Sequence, residues 1–324
     1  MAADTLRPKV SPVPEGTEAG ILAPYHGAVP ERPAWAERVL ADGPRRSFVT
    51  VDGAAIEVLE WGQRGDKGLL LAHGNGAHAD WWSFIAPLLA SEGRHVVALT
   101  WSGMGGSDWR KHYTMDGFLE ELMAVAEATE MFADGKKPVF AGHSFGGFPV
   151  LRAGGVYADR LRGIMTLDSL IEPPSHMWDG PPQRSRANRV YPTMEEALAR
   201  FRLAPPQPCE THWALDWIAR NSLKQAPLDD GSGDGWTWKF DPFIWNEFRM
   251  GDPTPTARAV ACPVAIIRGE QSKLADSGSW TYMKSLFPSG TPFISVPEAR
   301  HHLMLDQPIA TIAAMRSVLG MWGH

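Results

Sequence analysis

The sequence is poor in features that mark secreted, membrane and metal-binding proteins. Its 324 residues include two cysteines, Cys209 and Cys262, which lie far apart and match no metal-ligand spacing. Such sparse cysteine usage favours a reducing compartment. No apolar run is long enough to span a membrane, and residues 1–20 lack the apolar stretch of a secretory signal. We therefore expect a cytoplasmic protein that does not associate with a membrane.

An excess of basic charge is also lacking. The formal net charge is −6 at pH 7, so the composition predicts no cationic face for nucleic acid. Apolar residues make up 44% of the chain and charged residues 21%, which is ample for a globular core. We expect a small-molecule substrate and no nucleic-acid partner.

The most informative stretch is residues 138–147, with the sequence PVFAGHSFGG. A short apolar run predicts a buried strand, Gly-x-Ser-x-Gly follows at once, and residues 148–157 suit a helix. A serine at a sharp strand-to-helix corner needs small neighbours, which Gly142 and Gly146 provide. The hydroxyl of Ser144 is then exposed, and the backbone N–H of Phe145 points to where an oxyanion would form. We predict Ser144 as a nucleophile.

Strands and helices alternate around this turn. Two alternating runs flank Asp52-Gly53 and predict a hairpin. Later apolar runs predict strands at 68–72, 95–100, 138–143, 161–168, 264–268 and 293–296, and helices at 114–131, 148–157, 277–287 and 307–321. An antiparallel start followed by this alternation predicts an α/β fold, with a mostly parallel eight-stranded sheet flanked by helices. Ligands of such sheets bind beyond the carboxyl ends of the strands.

The alternation stops between residues 171 and 256. This segment shows Pro-rich turns, amphipathic patterns near 194–201 and 212–222, and no clear strand. It is too long for a loop, so we predict a helical cap inserted after the sixth strand. The predicted domains are therefore an arm at 1–45, a core at 46–170 and 257–324, and the cap at 171–256.

The predicted cap holds many of the 14 tryptophans, and the arm carries few structural signals. We assign Trp178 and Trp217 to the substrate pocket, with packing of the cap itself as the alternative. Three roles fit the arm: disorder, packing over the core, or contact with a second copy in a homodimer.

The base and the acid must come from elsewhere in the chain, because a serine hydroxyl is a poor nucleophile without a base. His301 follows the last predicted strand and fits the order Ser, acid, His; the adjacent His302 is the alternative. Asp168 ends the strand after the nucleophile and is the predicted acid, which would fix the tautomer of the base. The alternatives for this role are Glu270, Asp276 and Asp306.

A second oxyanion donor is predicted in the turn His73-Gly74-Asn75-Gly76. Its glycines let backbone N–H groups approach a substrate, and we assign the donor to Asn75. We also assign Gly74, His143 and Trp81 to substrate contact, with helix packing as the alternative for Trp81.

With these residues in hand, the chain resembles α/β-hydrolase-fold serine hydrolases with a cap domain over residues 46–324. The motifs that carry the resemblance are His73-Gly74 and residues 102–107, 142–147 and 301–308. The resemblance implies two-step acyl transfer through Ser144, with no metal or organic cofactor. Two positions depart from the family pattern: Thr100 and Ser272 stand where aspartates are usual, the second being the usual place of the acid.

The predicted activity is hydrolysis of a carboxylic ester or lactone of a moderately bulky, apolar substrate. Two other functions stay open at this point. One is carbon–carbon bond hydrolysis of a diketone-like ring-cleavage product, although the turn after His73 lacks the Gly-Pro pattern common in such enzymes. The other is a small-molecule receptor that retains its triad.

Overall fold

The structure, a computed structural model, describes residues 20–173, 183–275 and 277–324, so Trp178 and Asp276 lie outside the described residues. Within these ranges ten strands form an eight-stranded sheet and a separate hairpin. The strands are β1 (Arg45–Val51), β2 (Ala54–Trp61), β3 (Lys67–Ala72), β4 (Arg94–Leu99), β5 (Val139–His143), β6 (Gly163–Leu167), β7 (Leu223–Pro227), β8 (Asp234–Trp238), β9 (Val264–Gly269) and β10 (Phe293–Val296).

The described helices cover the two faces of this sheet and part of the segment between β6 and β9. They are α1 (Ala34–Ala41), α2 (Ala86–Ala90), α3 (Met115–Ala128), α4 (Gly147–Val156), α5 (Met194–Leu198), α6 (His212–Asn221), α7 (Thr254–Arg258), α8 (Ser277–Leu286), α9 (Leu303–Asp306) and α10 (Pro308–Met321). Helix α3 begins after Thr114, whose hydroxyl accepts the N–H of Gly117 as an N-cap. Across the described ranges no helix combines the length and apolar character needed to cross a membrane.

The strand order is β1-β2-β4-β3-β5-β6-β9-β10. Strand β2 pairs antiparallel with β1 and β4, whereas the other neighbours pair in parallel. The prediction of a mostly parallel eight-stranded sheet is confirmed. Both faces are buried: Leu69 and Leu71 pack in one core cluster, and Leu70 and Ala72 in the other. Burial on both faces explains why the central strands are continuous apolar runs.

The carboxyl ends of the central strands meet at one edge of the sheet. Ala72 lies opposite Gly142, and His143 opposite Leu167, so β3, β5 and β6 end close together. The residues that follow these strands are His73, Ser144 and Asp168. Topology alone therefore gathers three of the sequence-predicted positions at this edge.

The segment 171–256, called the insert below, contains helices α5 and α6 where helical patterns are predicted. The expectation that it carries no strand is wrong, since β7 and β8 form an antiparallel hairpin. Strand β7 is largely exposed after Leu223, so its hydrophobic alternation is weak. Buried residues of α5 and α6 join a core cluster shared with one face of the sheet. The role of the insert as a cap stays a prediction.

The described part of the predicted arm packs against the insert. The rings of Trp35 and Trp213 meet edge to face at 5.5 Å, and Tyr25 Oη lies 2.8 Å from His212 Nδ1. A guanidinium N–H of Arg220 also donates to the carbonyl of Gly27 at 2.6 Å. These contacts of residues 20–45 are with the insert, and packing over the core and contact in a homodimer stay predictions.

Candidate active site

The turn after β5 holds Ser144 in a conformation that few residues other than glycine adopt. Its φ is +52°, and a 3-10 turn and helix α4 follow directly. A Cβ at position 142 would collide with the carbonyl of Gly146, and one at 146 with the carbonyls of Ala72 and His73. The glycines of Gly-x-Ser-x-Gly are therefore required by close backbone approach, as the sequence predicts.

His301 joins Ser144 and Asp168 in one chain of hydrogen bonds. Its Nε2 lies 2.9 Å from Ser144 Oγ, and its Nδ1 lies 2.7 Å from Asp168 Oδ2. His301 is 3% exposed and Asp168 1%, whereas Ser144 is partly exposed. The structure thus brings the predicted nucleophile, base and acid together, with the hydroxyl on the open side.

The carboxylate of Asp168 has two further donors. The N–H of Gly269 donates to Oδ1 at 3.0 Å, and the hydroxyl of Ser272 donates to Oδ2 at 2.5 Å. Ser272 stands where the family pattern has its acid, so a hydroxyl at that position now supports a carboxylate on the neighbouring strand. The sequence shows the unusual Ser272 but not this contact, because the contact depends on the pairing of β6 with β9.

The described alternatives for the acid bind other partners. Glu270 is exposed and accepts the N–H of Glu298 at 3.1 Å. Asp306 accepts the N–H of Arg300 at 2.7 Å and the side-chain amide of Gln207 at 3.0 Å. In the described residues Asp168 is the carboxylate that reaches His301.

The predicted oxyanion donors are the backbone N–H groups of Asn75 and Phe145. Neither the N–H of Asn75 nor that of Phe145 donates to another group in the described parts of the chain. A Cβ on Gly74 would lie 3.0 Å from the Cβ of Ser144, so this turn runs against the nucleophile. Two unpaired backbone donors beside a serine can stabilise a developing oxyanion.

His73 fixes the turn from inside. Its Nδ1–H donates to the carbonyl of Gly74 at 2.7 Å, and its Nε2 accepts the N–H of Trp101 at 3.0 Å. Burial lowers the pKa of His73 to about 3. The imidazole is therefore neutral near pH 7, as the acceptor role of Nε2 requires.

Two further imidazoles pack around the base. His143 Nε2–H donates to the carbonyl of His301 at 2.9 Å, which holds the backbone of the base loop. His302 packs its ring 5.3 Å from that of Trp81. Burial, and secondarily the charge of His301, hold the pKa of both His143 and His302 well below the usual value. Both imidazoles pack around His301, and the substrate contact assigned to His143 stays a prediction.

The same three imidazoles are the candidate metal ligands of the described ranges. His143, His301 and His302 each offer a nitrogen within 4.8 Å of the others. Both nitrogens of His301 are already used, by Ser144 and Asp168. A metal here would have to displace one of those partners, so the cluster fits the triad geometry better than a metal centre.

The predicted pocket tryptophans have different surroundings. Trp81 is buried against His302, close to the base loop. Trp217 lies under the guanidinium of Arg32, at 5.5 Å, and so contacts the arm. A residue outside every motif, Trp245, instead reaches the site: its Nε1–H donates to Asn75 Oδ1 at 2.9 Å. The pocket roles of Trp81 and Trp217 stay predictions.

The comparison with protein families identifies the fold family. Residues 69–315 match the alpha/beta hydrolase family. The chain belongs to that family. The match includes the turns at Asn75 and Ser144, the end of β6 and the loop with His301, and it makes this protein a hydrolase of the α/β-hydrolase fold.

Individual relatives are distant. Esterase Rv0045c of Mycobacterium tuberculosis is 22% identical over 88% of this chain and 93% of its own length. Its solved structure aligns with a TM-score of 0.64 at 21% identity, covering 93% of this chain and 97% of that one. The thioesterase domain from the curacin biosynthetic pathway aligns with a TM-score of 0.69 at 17% identity, over 86% and 99%. At these identities the structural likeness shows the fold alone.

One relative is more similar in sequence, but its match covers a smaller part of this chain. The acetyltransferase component of the acetoin-cleaving system of Pseudomonas putida is 33% identical over 40% of this chain. The chain spans only 34% of the length of that relative. This partial match therefore adds to the fold assignment and says nothing of the substrate.

Proposed function

We propose that this hydrolase cleaves a carboxylic ester or lactone of a moderately bulky, apolar substrate through an acyl-enzyme on Ser144. The observation that carries the proposal is the position of His301, whose two ring nitrogens contact Ser144 Oγ and Asp168 Oδ2. A base between a hydroxyl and a carboxylate is the arrangement that activates serine for acyl transfer.

Acylation begins when Ser144 Oγ attacks the substrate carbonyl. His301 Nε2 takes the hydroxyl proton, and its Nδ1–H donates to Asp168, which stabilises the imidazolium. The carbonyl oxygen becomes an oxyanion and accepts the N–H groups of Asn75 and Phe145. Such donors act on charge that exists only in the transition state and intermediate, so they lower the barrier directly.

Collapse of the tetrahedral intermediate breaks the ester bond. His301 returns its proton to the leaving alcohol oxygen, which leaves an acyl group on Ser144. Water then attacks the acyl carbonyl while His301 takes its proton. The bond from the acyl carbon to Ser144 Oγ breaks, His301 returns the proton to Oγ, and the acid product leaves. For a lactone the leaving oxygen stays attached to the acyl chain, so acid and alcohol are one product molecule.

The aromatic surroundings of Phe145 support an apolar substrate. Its ring meets Trp245 at 4.9 Å, Phe118 at 5.2 Å and Phe248 at 5.9 Å. Trp245 is the partly exposed ring of this set, and an aromatic side chain beside the oxyanion turn favours apolar acyl or alcohol parts. The relative named as an esterase supports the ester bond as the target.

The test is turnover of p-nitrophenyl esters of graded chain length, several lactones and one diketone. We expect ester or lactone hydrolysis that is lost in Ser144→Ala and retained in Ser317→Ala, which changes an exposed serine on α10. Ester turnover that persists in Ser144→Ala would refute the nucleophile. Turnover of the diketone alone would replace ester hydrolysis by carbon–carbon bond hydrolysis, and binding without turnover would favour a receptor.

A further inference from the structure

We propose that Trp245 of the insert is a positioning residue for the oxyanion hole. It touches both residues whose N–H groups receive the oxyanion in the proposed function, on which this inference rests. Its indole Nε1–H donates to the side-chain oxygen of Asn75 at 2.9 Å, and its ring packs edge to face on Phe145 at 4.9 Å.

The contact with Asn75 matters because the bonds of His73 hold the start of this turn, whereas the side chain of Asn75 lies at its exposed tip. Asn75 and Gly76 are exposed, and Gly76 has a φ of +66°. In the described residues the indole N–H of Trp245 is the hydrogen-bond partner of the Asn75 side chain. A fixed carboxamide restrains the Asn75 peptide, and with it the direction in which the N–H points.

The contact with Phe145 acts on the other donor. Phe145 is 7% exposed and lies among Trp245, Phe118 and Phe248. Trp245 also packs on Phe248 at 5.0 Å, so the three rings form one set of edge-to-face contacts. Such pairs have preferred angles, so they orient the first turn after the nucleophile.

Trp245 itself has a firm support. The N–H of Asp241 donates to the carbonyl of Gly103 at 2.7 Å, and Tyr113 Oη–H donates to Asp241 Oδ2 at 2.8 Å. On the other side Asn246 exchanges two hydrogen bonds with the backbone of Arg184, at 2.9 and 3.1 Å. The segment that carries Trp245 is thus tied to the core and to the insert, and can hold the oxyanion turn in place.

The experiment compares Trp245→Phe with Trp238→Phe on a small p-nitrophenyl ester. Trp245→Phe keeps a ring on Phe145 and removes the indole N–H. We expect kcat to fall about three- to tenfold with KM unchanged, because the oxyanion exists only after the ground state. Trp238 packs on Tyr191 and Phe201 of the insert, so its variant should leave kcat within about twofold. Trp245→Ala, which also removes the ring, should lose on the order of 100-fold.

A double-mutant cycle shows whether the effect passes through Asn75. Asn75→Ala keeps the backbone N–H and removes the acceptor, so we expect a loss similar to that of Trp245→Phe. Adding Trp245→Phe to Asn75→Ala should then cost little more. Additive losses, an effect confined to KM, or an unchanged kcat in Trp245→Phe would overturn the inference.

The rate of inactivation by a fluorophosphonate distinguishes failure of this inference from failure of the proposed function on which it rests. Labelling passes through the same serine and oxyanion hole, so Trp245→Phe should slow it by the same factor as kcat. Wild-type labelling at Ser144 with equal rates in Trp245→Phe overturns the inference and leaves the proposed function intact. A wild-type protein that does not react overturns both.

Discussion

The sheet edge and the insert contribute to the site in different ways. At the edge, strand ends place Ser144 and Asp168, and groups of the sheet and its loops hold the site: Gly269 N–H and the Ser272 hydroxyl donate to Asp168, and His143 donates to the carbonyl of His301. The insert reaches the same loops through side chains. These contacts are Trp245 to Asn75, Gln207 to His302 and Asp306, and Ser222 to His78.

This difference separates residues that take part in the reaction from residues that position the loops around it. Residues fixed by the sheet hold the reacting atoms, so changing them should abolish turnover. Residues of the insert adjust loops that the sheet has already placed, so changing them should cost less activity than loss of Ser144, His301 or Asp168. The comparison fails if an insert variant with an intact fold costs as much activity as loss of Ser144, His301 or Asp168.

The largest effect is expected for the base. His301→Gln should reduce kcat by roughly 10⁶-fold, as loss of the histidine does in a protease triad. His302→Gln should keep most of the activity, because His302 packs on Trp81 and makes no hydrogen bond to Ser144. Both are measured as kcat on one p-nitrophenyl ester, with thermal unfolding as the fold control. Equal losses would show that the adjacent imidazole shares the role.

The next effect concerns the acid. Asp168→Asn should lower kcat by roughly 10⁴-fold, because the amide favours the wrong tautomer of the base. The matched control is Glu270→Gln, an exposed residue bound to Glu298 N–H, which should change kcat less than about twofold. The opposite pattern would move the acid to the loop after β9.

These residues also show what the sequence could predict. The Gly-x-Ser-x-Gly turn, the order of strands and helices and the histidine before α9 are local patterns, and each led to a residue that lies at the sheet edge. The acid is harder to predict from sequence, because the choice between Asp168 and Glu270 depends on which strand end faces His301. That is settled by the register of β6 and β9, which spans about a hundred residues of sequence.

Other features had no local signal. Strand β7 is largely exposed after Leu223, so hydrophobic alternation does not mark it. The bond from Trp245 to Asn75 joins residues 170 positions apart, and the bond from Ser272 to Asp168 joins residues 104 apart. Local sequence patterns show both residues of each pair, but they do not show that the fold brings the two side chains into contact.

A smaller effect is expected for the hydroxyl that donates to the predicted acid, Asp168. Ser272→Ala removes the hydroxyl that donates to Asp168 at 2.5 Å. Hydrogen bonds to charged groups are worth more than neutral ones, so kcat should fall on the order of tenfold. Ser295→Ala, which removes an exposed hydroxyl bound to Arg268, should leave kcat unchanged. A tenfold loss in both variants would indicate a general effect on β9 and β10.

The smallest effect is that of pH on stability, and it concerns two buried histidines that lie against strand β3, His73 and His324. Burial lowers the pKa of His73 to about 3 and that of His324 to about 4, against about 6.5 in an unfolded chain. The unfolded state therefore binds more protons below pH 6.5. These groups make their full contribution to the free energy of unfolding above pH 6.5. That contribution is lost as the pH falls from 6.5 towards the pKa values of the folded state.

The measurement is the free energy of unfolding in urea between pH 7 and pH 4.5. Each such histidine adds a slope of at most about 1.4 kcal/mol per pH unit. His324→Gln should flatten the slope by up to this amount. Equal stability of the wild type at pH 7 and pH 5 would contradict the buried, neutral state of these imidazoles.

The most direct test of the central claim, that Ser144 is the nucleophile, is peptide mapping after reaction with a fluorophosphonate. The geometry at the sheet edge predicts one covalent adduct, on the peptide that contains Ser144, and no adduct in Ser144→Ala. An adduct on another residue, or labelling that persists in Ser144→Ala, would contradict it.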